Sequence, residues 1–438
     1  MKLLLFAHVP PPHHGQSYMV QLMLEGFGGD RRKTRNGRLH PATDNPFGVE
    51  CYHVDARLSQ KLEDIGDFRV GKFLLLIGYC LKAIWFRFRY GVKNFYYIPA
   101  PGKRSALYRD WVVMLICRPF FRRTILHWHA AGLAKWLETS VQIRSRSVTF
   151  GLMQRVDLSI VLSKYNRADA EKLFSRKIHV VSNGIPDPCP DFATKILPRR
   201  RARIRARRNL VSGETLTAAD TLEAGGDPHI LKILFLAHCT REKGLFDTVA
   251  GVVAAQKRLL ESKSPLSLQL LVAGNFVTTA EAQEFEASLG DPAAARIIQH
   301  LGFVSGARKN ELLREADLFC FPTFYQNENQ PVNLIEATAF GLPILTTRWR
   351  SIPELFPADY PGLVDIRSPD QIATKLVALA LQESGEEFRG IFVRDFTLER
   401  HLAGLASALH SAEESIFPPR PVENQVAIQS TRPHLPCF

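Results

Sequence analysis

Two glutamates between residues 318 and 347 have the side chains and spacing needed to hold a polar ligand. Glu328 lies in a polar loop, and Glu336 lies about one turn inside the segment from 331 to 340, which is predicted to be a helix. Free backbone N–H groups and the helix dipole favour an anion such as a phosphate at the start of a helix. The two carboxylates would then be available to hydroxyl groups, as the binding of a sugar nucleotide requires. Taken singly, each glutamate could equally be a solvated residue.

The residues around this pair resemble a known enzyme family. Glu328 is followed after seven residues by Glu336-Ala337 and then by Gly341-Leu342-Pro343. This order is similar to the Glu-x7-Glu signature of retaining GT-B glycosyltransferases of family four, the glycosyltransferase group 1 type. The resemblance covers almost the whole chain apart from a linker and a tail. It implies that Glu328 holds the hydroxyls of the transferred sugar and that Glu336 holds the ribose.

The loop after Glu328 departs from the pattern of the family. Many members have Gly-Phe-Gly directly after the first glutamate, whereas this chain has Asn329-Gln330-Pro331. Asn329 and Gln330 are nevertheless expected to lie in the donor-binding site.

A further candidate lies at the end of another predicted strand. His129 follows the strand predicted from 124 to 128, and the two-residue period of a strand places His127 on the same side. Open α/β sheets bind ligands at the carboxyl ends of their strands. In the resembled family a histidine at this place faces the transferred sugar and its leaving phosphate, so His129 is the catalytic candidate. A histidine paired with backbone groups is the alternative, and it is the role expected of His127.

The resemblance also implies residues that bind the rest of the donor. A lysine before a glycine at a helix start grips the donor phosphates in the family, and Lys243 matches this position. Either His238, by the usual spacing, or the closer Arg241 would supply the second phosphate contact. The segment around Val304 resembles the one that contacts the nucleotide base through backbone groups. Gly15, in the loop after the first predicted strand, would either permit close backbone approach to the substrate or only turn the loop.

Positive charge is concentrated in the first half of the chain. Residues 1–185 contain 29 Lys and Arg against 13 Asp and Glu, whereas residues 186–438 contain 27 against 30. This asymmetry favours an anionic partner for the first half, either a nucleic acid or an anionic membrane surface. No nucleic-acid-binding motif is recognisable, so the membrane is the preferred partner. The apolar segment from 70 to 90, interrupted by four cations, is predicted to be a helix at a membrane interface or, alternatively, a core helix of the first domain.

Strands and helices alternate in both halves of the chain, which is typical of doubly wound parallel sheets. The fold class expected from this pattern and the resemblance is α/β with GT-B architecture, in which two Rossmann-like domains face each other across a cleft. The expected segments are an acceptor-binding domain at 1–185, a basic flexible linker at 186–229, a nucleotide-sugar-binding domain at 230–397, a helix crossing back to the first domain at 398–416, and a disordered tail at 417–438.

Two simple features point to a reducing compartment. The seven cysteines are scattered without paired spacing, which argues against a disulfide framework and against a zinc site. The apolar run Leu3–Ala7 is short and is expected to be a first buried strand and not a signal peptide. We therefore expect a cytoplasmic protein, peripheral on the inner face of a membrane.

The resemblance implies a retaining glycosyltransferase that moves a sugar from a nucleotide-sugar to a glycan, or, given the basic first half, to a polyprenyl-diphosphate-linked acceptor. No motif supplies a protein nucleophile, so front-face attack is expected, in which the leaving diphosphate takes the acceptor proton. No Asp-x-Asp motif lies in a suitable loop, so neither a metal nor another cofactor is expected. The alternatives are a sugar-nucleotide epimerase of the same shape and a non-catalytic protein that binds a sugar nucleotide or lipid. A nucleic-acid binder would rest on charge alone.

Overall fold

Residues 1–11, 14–32, 45–58, 70–99 and 102–413 are described by a computed structural model. Within them the chain forms two six-stranded sheets in which the paired strands are parallel, and helices flank both sheets. Connecting consecutive parallel strands through helices is the arrangement that the alternating sequence pattern predicted.

The first sheet has the strand order β2-β1-β3-β4-β5-β6. Its central strands are nearly continuous apolar runs, as expected for strands that are covered by helices on both faces. The sequence pattern did not predict β2, which lies at an edge of this sheet. The strands are β1 (Lys2–Phe6), β2 (Glu50–Val54), β3 (Asn94–Tyr97), β4 (Arg123–Trp128), β5 (Leu158–Val161) and β6 (Ile178–Val180); the helices are α1 (Gly15–Gly26), α2 (Val70–Arg89), α3 (Arg104–Cys117), α4 (Leu133–Ser140), α5 (Ile143–Met153) and α6 (Arg167–Lys172).

The segment between the two sheets is not the flexible linker expected at 186–229. It contains two helices, α7 (Leu197–Val211) and α8 (Ala218–Ala224), and three arginines of α7 are buried. Arg203 and Arg207 both form ion pairs with buried Asp317, at 3.4 and 2.8 Å. Arg200 donates hydrogen bonds to the carbonyls of Phe340 and Gly341. The expected flexibility of this segment is therefore wrong, because three of the seven arginines between residues 199 and 208 are buried against the second domain.

The second sheet has the order β12-β11-β10-β7-β8-β9. Its core is continuous with the buried side of α7, since Leu197 and Leu234 belong to the same cluster of buried residues. The strands are β7 (Ile230–Leu236), β8 (Ser267–Ala273), β9 (Ile298–Gly302), β10 (Leu318–Phe321), β11 (Ile344–Thr347) and β12 (Leu363–Val364); the helices are α9 (Leu245–Glu261), α10 (Thr279–Ser288), α11 (Pro292–Ile297), α12 (Gly306–Glu315), α13 (Val332–Ala339), α14 (Pro369–Ala380), α15 (Gly385–Asp395) and α16 (Leu398–Ser411).

The last helix, α16, packs on the first domain. Leu402, Leu405 and Leu409 are buried in one cluster with Leu3 and Leu5 of β1. This packing returns the chain to the N-terminal sheet and joins the two domains a second time. The predicted tail at 417–438 lies outside the described residues.

The segment that was predicted to be either an interfacial or a core helix is α2. Leu76, Cys80, Ala83 and Phe86 of this helix are buried against the first sheet, so one of its faces belongs to the core. None of the helices in the described ranges is long and apolar enough to cross a membrane.

Candidate active site

The candidate site lies where the carboxyl ends of the strands of the two sheets face each other. In the second domain, the loop after β10 leads into α13, and the loop after β7 leads into α9. In the first domain, β4 ends beside His129, and α1 begins at Gly15. Ligands of open α/β sheets bind at such edges.

Glu328 and Lys243 are in direct contact. Lys243 Nζ lies 2.6 Å from Glu328 Oε2, and Thr323 Oγ1 donates to the same oxygen over 3.0 Å. The ammonium also lies 4.5 Å from the centroid of the Tyr325 ring, within the range of a cation–π interaction. Glu328 is only 8% exposed, so the carboxylate is desolvated and compensated by one cation. Two residues that the sequence assigned to different parts of the donor therefore share one site.

Gly244 fixes the position of Lys243. Its φ of +83° lies in the left-handed region, and a Cβ at this position would come within 2.3 Å of the carbonyl oxygen of Pro322. Only glycine fits both restrictions. The start of α9 is thereby held directly against the end of β10, which brings Lys243 to Glu328.

Glu336 also has a cationic partner, although one that sequence reasoning missed. It is 8% exposed and forms an ion pair with Lys309 of α12. The two residues are 27 positions apart, and no local pattern around Lys309 indicated the contact. Both carboxylates of the Glu-x7-Glu pattern are therefore buried and paired with lysine.

The start of α13 faces the first domain. Its first N–H groups have no carbonyl partners within the helix, so this end favours negative charge. A Cβ on Gly15 would lie 3.6 Å from Val332 Cγ2, which places the start of α1 beside the start of α13. Gly15 thus lies beside the start of α13, where a Cβ would make an ordinary van der Waals contact.

Asn329 has a different role from the one that the sequence indicated. Its amide nitrogen donates to the Trp128 carbonyl over 3.3 Å and to Asn166 Oδ1 over 2.8 Å. Its amide oxygen accepts hydrogen bonds from Ser163 at 3.2 Å and from Ser351 at 3.1 Å. These four bonds use the whole hydrogen-bonding capacity of the side chain. The prediction of Asn329 as a donor ligand is therefore corrected for its side chain, which connects the two domains.

Gln330 is engaged in the same way. Its Oε1 accepts a hydrogen bond from the backbone N–H of Asn183 over 2.5 Å, and its carbonyl accepts one from Asn183 Nδ2 over 3.1 Å. Gln330 was predicted to lie in the donor-binding site, and its amide oxygen is turned toward the first domain. Asn329 and Gln330 together hold the loop that carries Glu328 against the ends of strands in the first domain.

His129 lies close to His127, with the two ring centroids 4.2 Å apart. Burial first, and then the charges of His401 and His14, lower the pKa of His129 to about 3. Burial and the charge of His129 likewise lower the pKa of His127 well below its usual range, and His127 Nδ1 pairs with the hydroxyl of Tyr96. Near neutral pH His129 is therefore an uncharged hydrogen-bonding group.

The two candidates for the second phosphate contact differ. Arg241 forms an ion pair with Glu284 of α10, and its guanidinium carbon lies 4.7 Å from the centroid of the Phe246 ring, so it is not brought to Glu328. His238 is half-buried, and burial together with the charge of Lys243 lowers its pKa. A neutral imidazole near Lys243 can donate a hydrogen bond to an anion but adds no charge to the site.

The last of the predicted site residues is Val304. Val304 is half-buried and packs against the core of the second domain just after β9. Among the residues that the structure describes, no group of three or more His, Cys, Asp or Glu side chains could hold a metal ion.

Sequence comparison finds similarity to known proteins. Residues 231–382 match the family model "Glycosyl transferases group 1". The chain is 28% identical over 193 residues to the putative colanic acid biosynthesis glycosyltransferase WcaL of Escherichia coli K12, covering 41% of this chain and 45% of WcaL. It is 29% identical over 161 residues to the amylovoran biosynthesis glycosyltransferase AmsK of Erwinia amylovora, covering 36% and 37% of the two chains. The match thus spans less than half the length of either relative.

Structural comparison covers more of the chain. Anabaena Alr3699/HepE, solved in complex with UDP and glucose, is similar with a TM-score of 0.58 and 13% identity, covering 94% of this chain and 100% of that one. Sucrose-phosphate synthase from Thermosynechococcus elongatus is similar with a TM-score of 0.62 and 14% identity, covering 94% and 99%. These similarities confirm the expected GT-B architecture of two Rossmann-like domains. The similarity to the family "Glycosyl transferases group 1" thus lies in residues 231–382, which form most of the second domain.

Proposed function

We propose that the whole chain is a retaining glycosyltransferase that transfers a sugar from a nucleotide-sugar to a glycan or a polyprenyl-diphosphate-linked acceptor. The observation that carries the proposal is the pair of buried carboxylates, Glu328 and Glu336, on either side of the start of α13, with Lys243 in contact with the first. The relatives named above act in colanic acid and amylovoran biosynthesis, which supports a role in polysaccharide or glycoconjugate synthesis.

The donor would bind along the second domain. Its diphosphate would lie between Lys243 and the free N–H groups of α13, where both the lysine charge and the helix dipole stabilise an anion. Glu328 would then release part of its contact with Lys243 and accept hydrogen bonds from the sugar, while Glu336 would accept them from the ribose. Since HepE binds UDP and glucose, a uridine nucleotide is the first donor to test.

The reaction would proceed on one face of the sugar. The bond between the anomeric carbon and the phosphate oxygen breaks, the acceptor oxygen bonds to the same face of that carbon, and the acceptor proton passes to the departing phosphate. Lys243 and the α13 amides would stabilise the charge that develops on this phosphate. Uncharged His129 would hold the sugar by a hydrogen bond without repelling Lys243. These groups supply the charge stabilisation that a metal ion gives in other transferases, so we propose a metal-independent reaction.

The acceptor would bind on the basic first domain, at the carboxyl ends of β1 to β3. Arg57 of this edge lies 2.9 Å from Asp55 and donates to the carbonyl of Pro10 over 3.4 Å. Burial, then the charge of Arg109, and to a smaller extent that of Arg57, lower the pKa of His8. The charges of two guanidiniums thus act on the same imidazole at this edge of the first sheet, which suits an acceptor that carries a diphosphate.

Binding of the donor can be tested by thermal unfolding with UDP, GDP, ADP and UDP-glucose in the presence of a chelator. One nucleotide is expected to stabilise the wild type by about 2.7 kcal/mol at one hundred times its dissociation constant. The stabilisation should be smaller for Glu336→Gln and unchanged for Glu286→Gln, which alters an exposed carboxylate on α10. If none of these ligands stabilises the wild type, the donor site is wrong.

Transfer is tested with the nucleotide-sugar that binds and a panel of glycan and lipid-linked acceptors. The expected product is a glycoside whose anomeric proton shows the configuration of the donor in an NMR spectrum. Conversion of the donor without any acceptor would indicate an epimerase, and binding without turnover over the whole panel would indicate a binding protein. An inverted product would overturn the front-face mechanism.

A further inference from the structure

Helix α2 presents a stripe of large apolar side chains to solvent. Leu74, Leu81, Trp85 and Phe88 are 65%, 59%, 55% and 67% exposed. Their spacings of seven, four and three residues place them on one face, because residues three, four and seven apart lie one above another on a helix. Four large side chains on one face form a continuous patch and not the scattered exposure that is normal for a protein surface.

The stripe lies opposite the face of α2 that packs on the first domain. The buried residues Leu76, Cys80, Ala83 and Phe86 are at most 4% exposed. At about 100° per residue, the two sets of side chains point in nearly opposite directions. Folding of this domain therefore explains only one of the two apolar faces. Among the residues that the structure describes, no helix or strand packs over the exposed apolar face of α2.

The patch extends beyond α2. Phe120, in a short 3₁₀ helix at Arg118–Phe120, is 43% exposed, and its ring centroid lies 6.3 Å from that of Phe88. Arg87 Nε donates to the carbonyl of Phe120 over 3.0 Å, which fixes the two elements relative to each other. The patch is thus a rigid surface built from two elements.

Cations lie at the border of the stripe. Lys82 and Arg89 are exposed on α2, and neither is part of the buried face. Lysines and arginines around an apolar patch with Trp and Phe match an anionic lipid surface, because the rings enter the interface while the cations contact headgroup phosphates. Protein–protein interfaces, by contrast, are depleted of lysine. The net positive charge of residues 1–185 also favours binding to an anionic lipid surface.

We propose that the face of α2 formed by Leu74, Leu81, Trp85 and Phe88, together with Phe120, docks on an anionic lipid bilayer. The start of α2 lies near the carboxyl edge of the first sheet, because α2 connects the end of β2 to the start of β3. A bilayer on this face would therefore reach the edge at which the acceptor is proposed to bind. This last step rests on the proposed function, whereas the docking itself does not.

Docking is tested by co-sedimentation with vesicles of phosphatidylglycerol and phosphatidylcholine, and with vesicles of phosphatidylcholine alone. The wild type is expected to sediment with the anionic vesicles and to be released at high salt. The triple variant Leu81→Ser, Trp85→Ser and Phe88→Ser should bind at least about tenfold more weakly, since it loses most of the apolar area that enters the interface. Lys82→Gln with Arg89→Gln should weaken binding to anionic vesicles only.

A matched control removes exposed apolar side chains elsewhere. Leu222→Ser, Leu260→Ser and Val393→Ser change residues that are 83%, 66% and 50% exposed outside the first domain, and this variant should bind vesicles like the wild type. Equal sedimentation of the α2 triple variant and the wild type, or no sedimentation of the wild type, overturns the proposal. If the wild type does not bind vesicles and the α2 variant converts a dimer into a monomer in light scattering, a second copy of the chain covers this face.

Nucleotide binding separates this proposal from the proposed function. The α2 triple variant should retain the thermal stabilisation by the nucleotide, because its changes are on the outer face of the first domain. Vesicle binding without nucleotide binding would leave the docking surface intact and remove the proposed donor site. The converse result would remove the docking surface alone.

Discussion

The ammonium of Lys243 and the carboxylate of Glu328 are 2.6 Å apart, although 85 positions separate the two residues in the chain. The contact is largely buried, with 19% and 10% of the two side chains exposed. Each group therefore compensates the charge of the other as long as no phosphate is bound. A donor phosphate that contacts Lys243 would weaken this pair and release Glu328 for hydroxyl groups.

This relationship predicts a non-additive effect on stability. Lys243→Met leaves the carboxylate of Glu328 buried without a cation, and we expect it to lower the free energy of unfolding by about 3 kcal/mol. Glu328→Gln in the same background should restore part of the loss, since an amide needs no counter-charge. Chemical denaturation of the two single variants and the double variant gives the coupling energy.

The exposed pair of Lys172 and Glu138 serves as the control, because its partners are also 2.6 Å apart but about half exposed. Breaking it should cost much less stability, because water and salt screen an exposed ion pair. Additive losses from Lys243→Met and Glu328→Gln would contradict the coupling described above.

A second prediction concerns the contact of Asn329 with Asn166. Asn166→Ala removes the acceptor that lies 2.8 Å from Asn329 Nδ2 and leaves a buried donor with a single partner. We expect a loss of stability of about 1–3 kcal/mol. We also expect a lower kcat with a nearly unchanged dissociation constant for the nucleotide, because the loop would keep its residues but lose its position relative to His129.

Asn327 provides the matched control in the same loop. Its amide nitrogen donates only to the Tyr325 hydroxyl, over 3.4 Å, and does not reach the first domain. Asn327→Ala should therefore leave kcat close to that of the wild type. A decrease in kcat as large as that of Asn166→Ala would show that the contact between domains is not the cause.

The sequence predicted those parts of the site that local patterns encode. Glu328 lies in the loop before one predicted helix, Glu336 about one turn inside that helix, and Lys243 at the start of another, so their approach follows from a parallel sheet. Lys309 could not be predicted, because its contact with Glu336 depends on how α12 packs beside α13. The role of the Asn329 side chain could not be predicted either, because it depends on hydrogen-bond partners in the first domain.

The segment between the two sheets shows that local sequence patterns also fail to predict part of the fold. Arg200, Arg203 and Arg207 follow a spacing of three and four residues, which is compatible with one face of a helix. Arginine is rarely buried without a partner, so a basic run is normally interpreted as a solvated loop. The main partner, Asp317, lies more than one hundred residues away and directly before β10. Charge pairing between distant segments leaves no mark in a local pattern.

The third prediction concerns pH. The pKa of His129 is lowered to about 3 and that of His401 to about 4, in both cases mainly by burial, whereas an unfolded histidine titrates near 6.5. At pH values between the folded and the unfolded pKa of each histidine, the unfolded chain therefore binds more protons than the folded chain. The full stability is present above about pH 6.5 and decreases as the pH falls, by up to about 1.4 kcal/mol per pH unit for each histidine.

This dependence is measured as the free energy of unfolding between pH 7.5 and pH 4.5. His401→Gln should reduce the slope by about one proton per molecule, because glutamine does not titrate. A slope that is the same for His401→Gln and the wild type would mean that His401 is protonated in the folded protein.

The last prediction tests whether α7 belongs to the second domain. Asp317 is 3% exposed and accepts a hydrogen bond from the backbone N–H of Lys232 at 2.9 Å in addition to its ion pairs with Arg203 and Arg207. Asp317→Ala leaves two buried guanidiniums without a counter-charge, and we expect it to lower the free energy of unfolding by about 3–5 kcal/mol.

The pair of Arg205 and Glu223 joins the exposed sides of α7 and α8 at 3.4 Å, so Glu223→Ala should change stability by less than about 0.5 kcal/mol. Limited proteolysis within residues 197–211 should become faster in Asp317→Ala and not in Glu223→Ala. Equal cleavage rates would mean that α7 is held by its apolar residues alone. If Asp317 instead holds α7, then one buried carboxylate stabilises both α7 and β10. Because Asp317 directly precedes β10, this carboxylate also supports the strand that leads to Glu328.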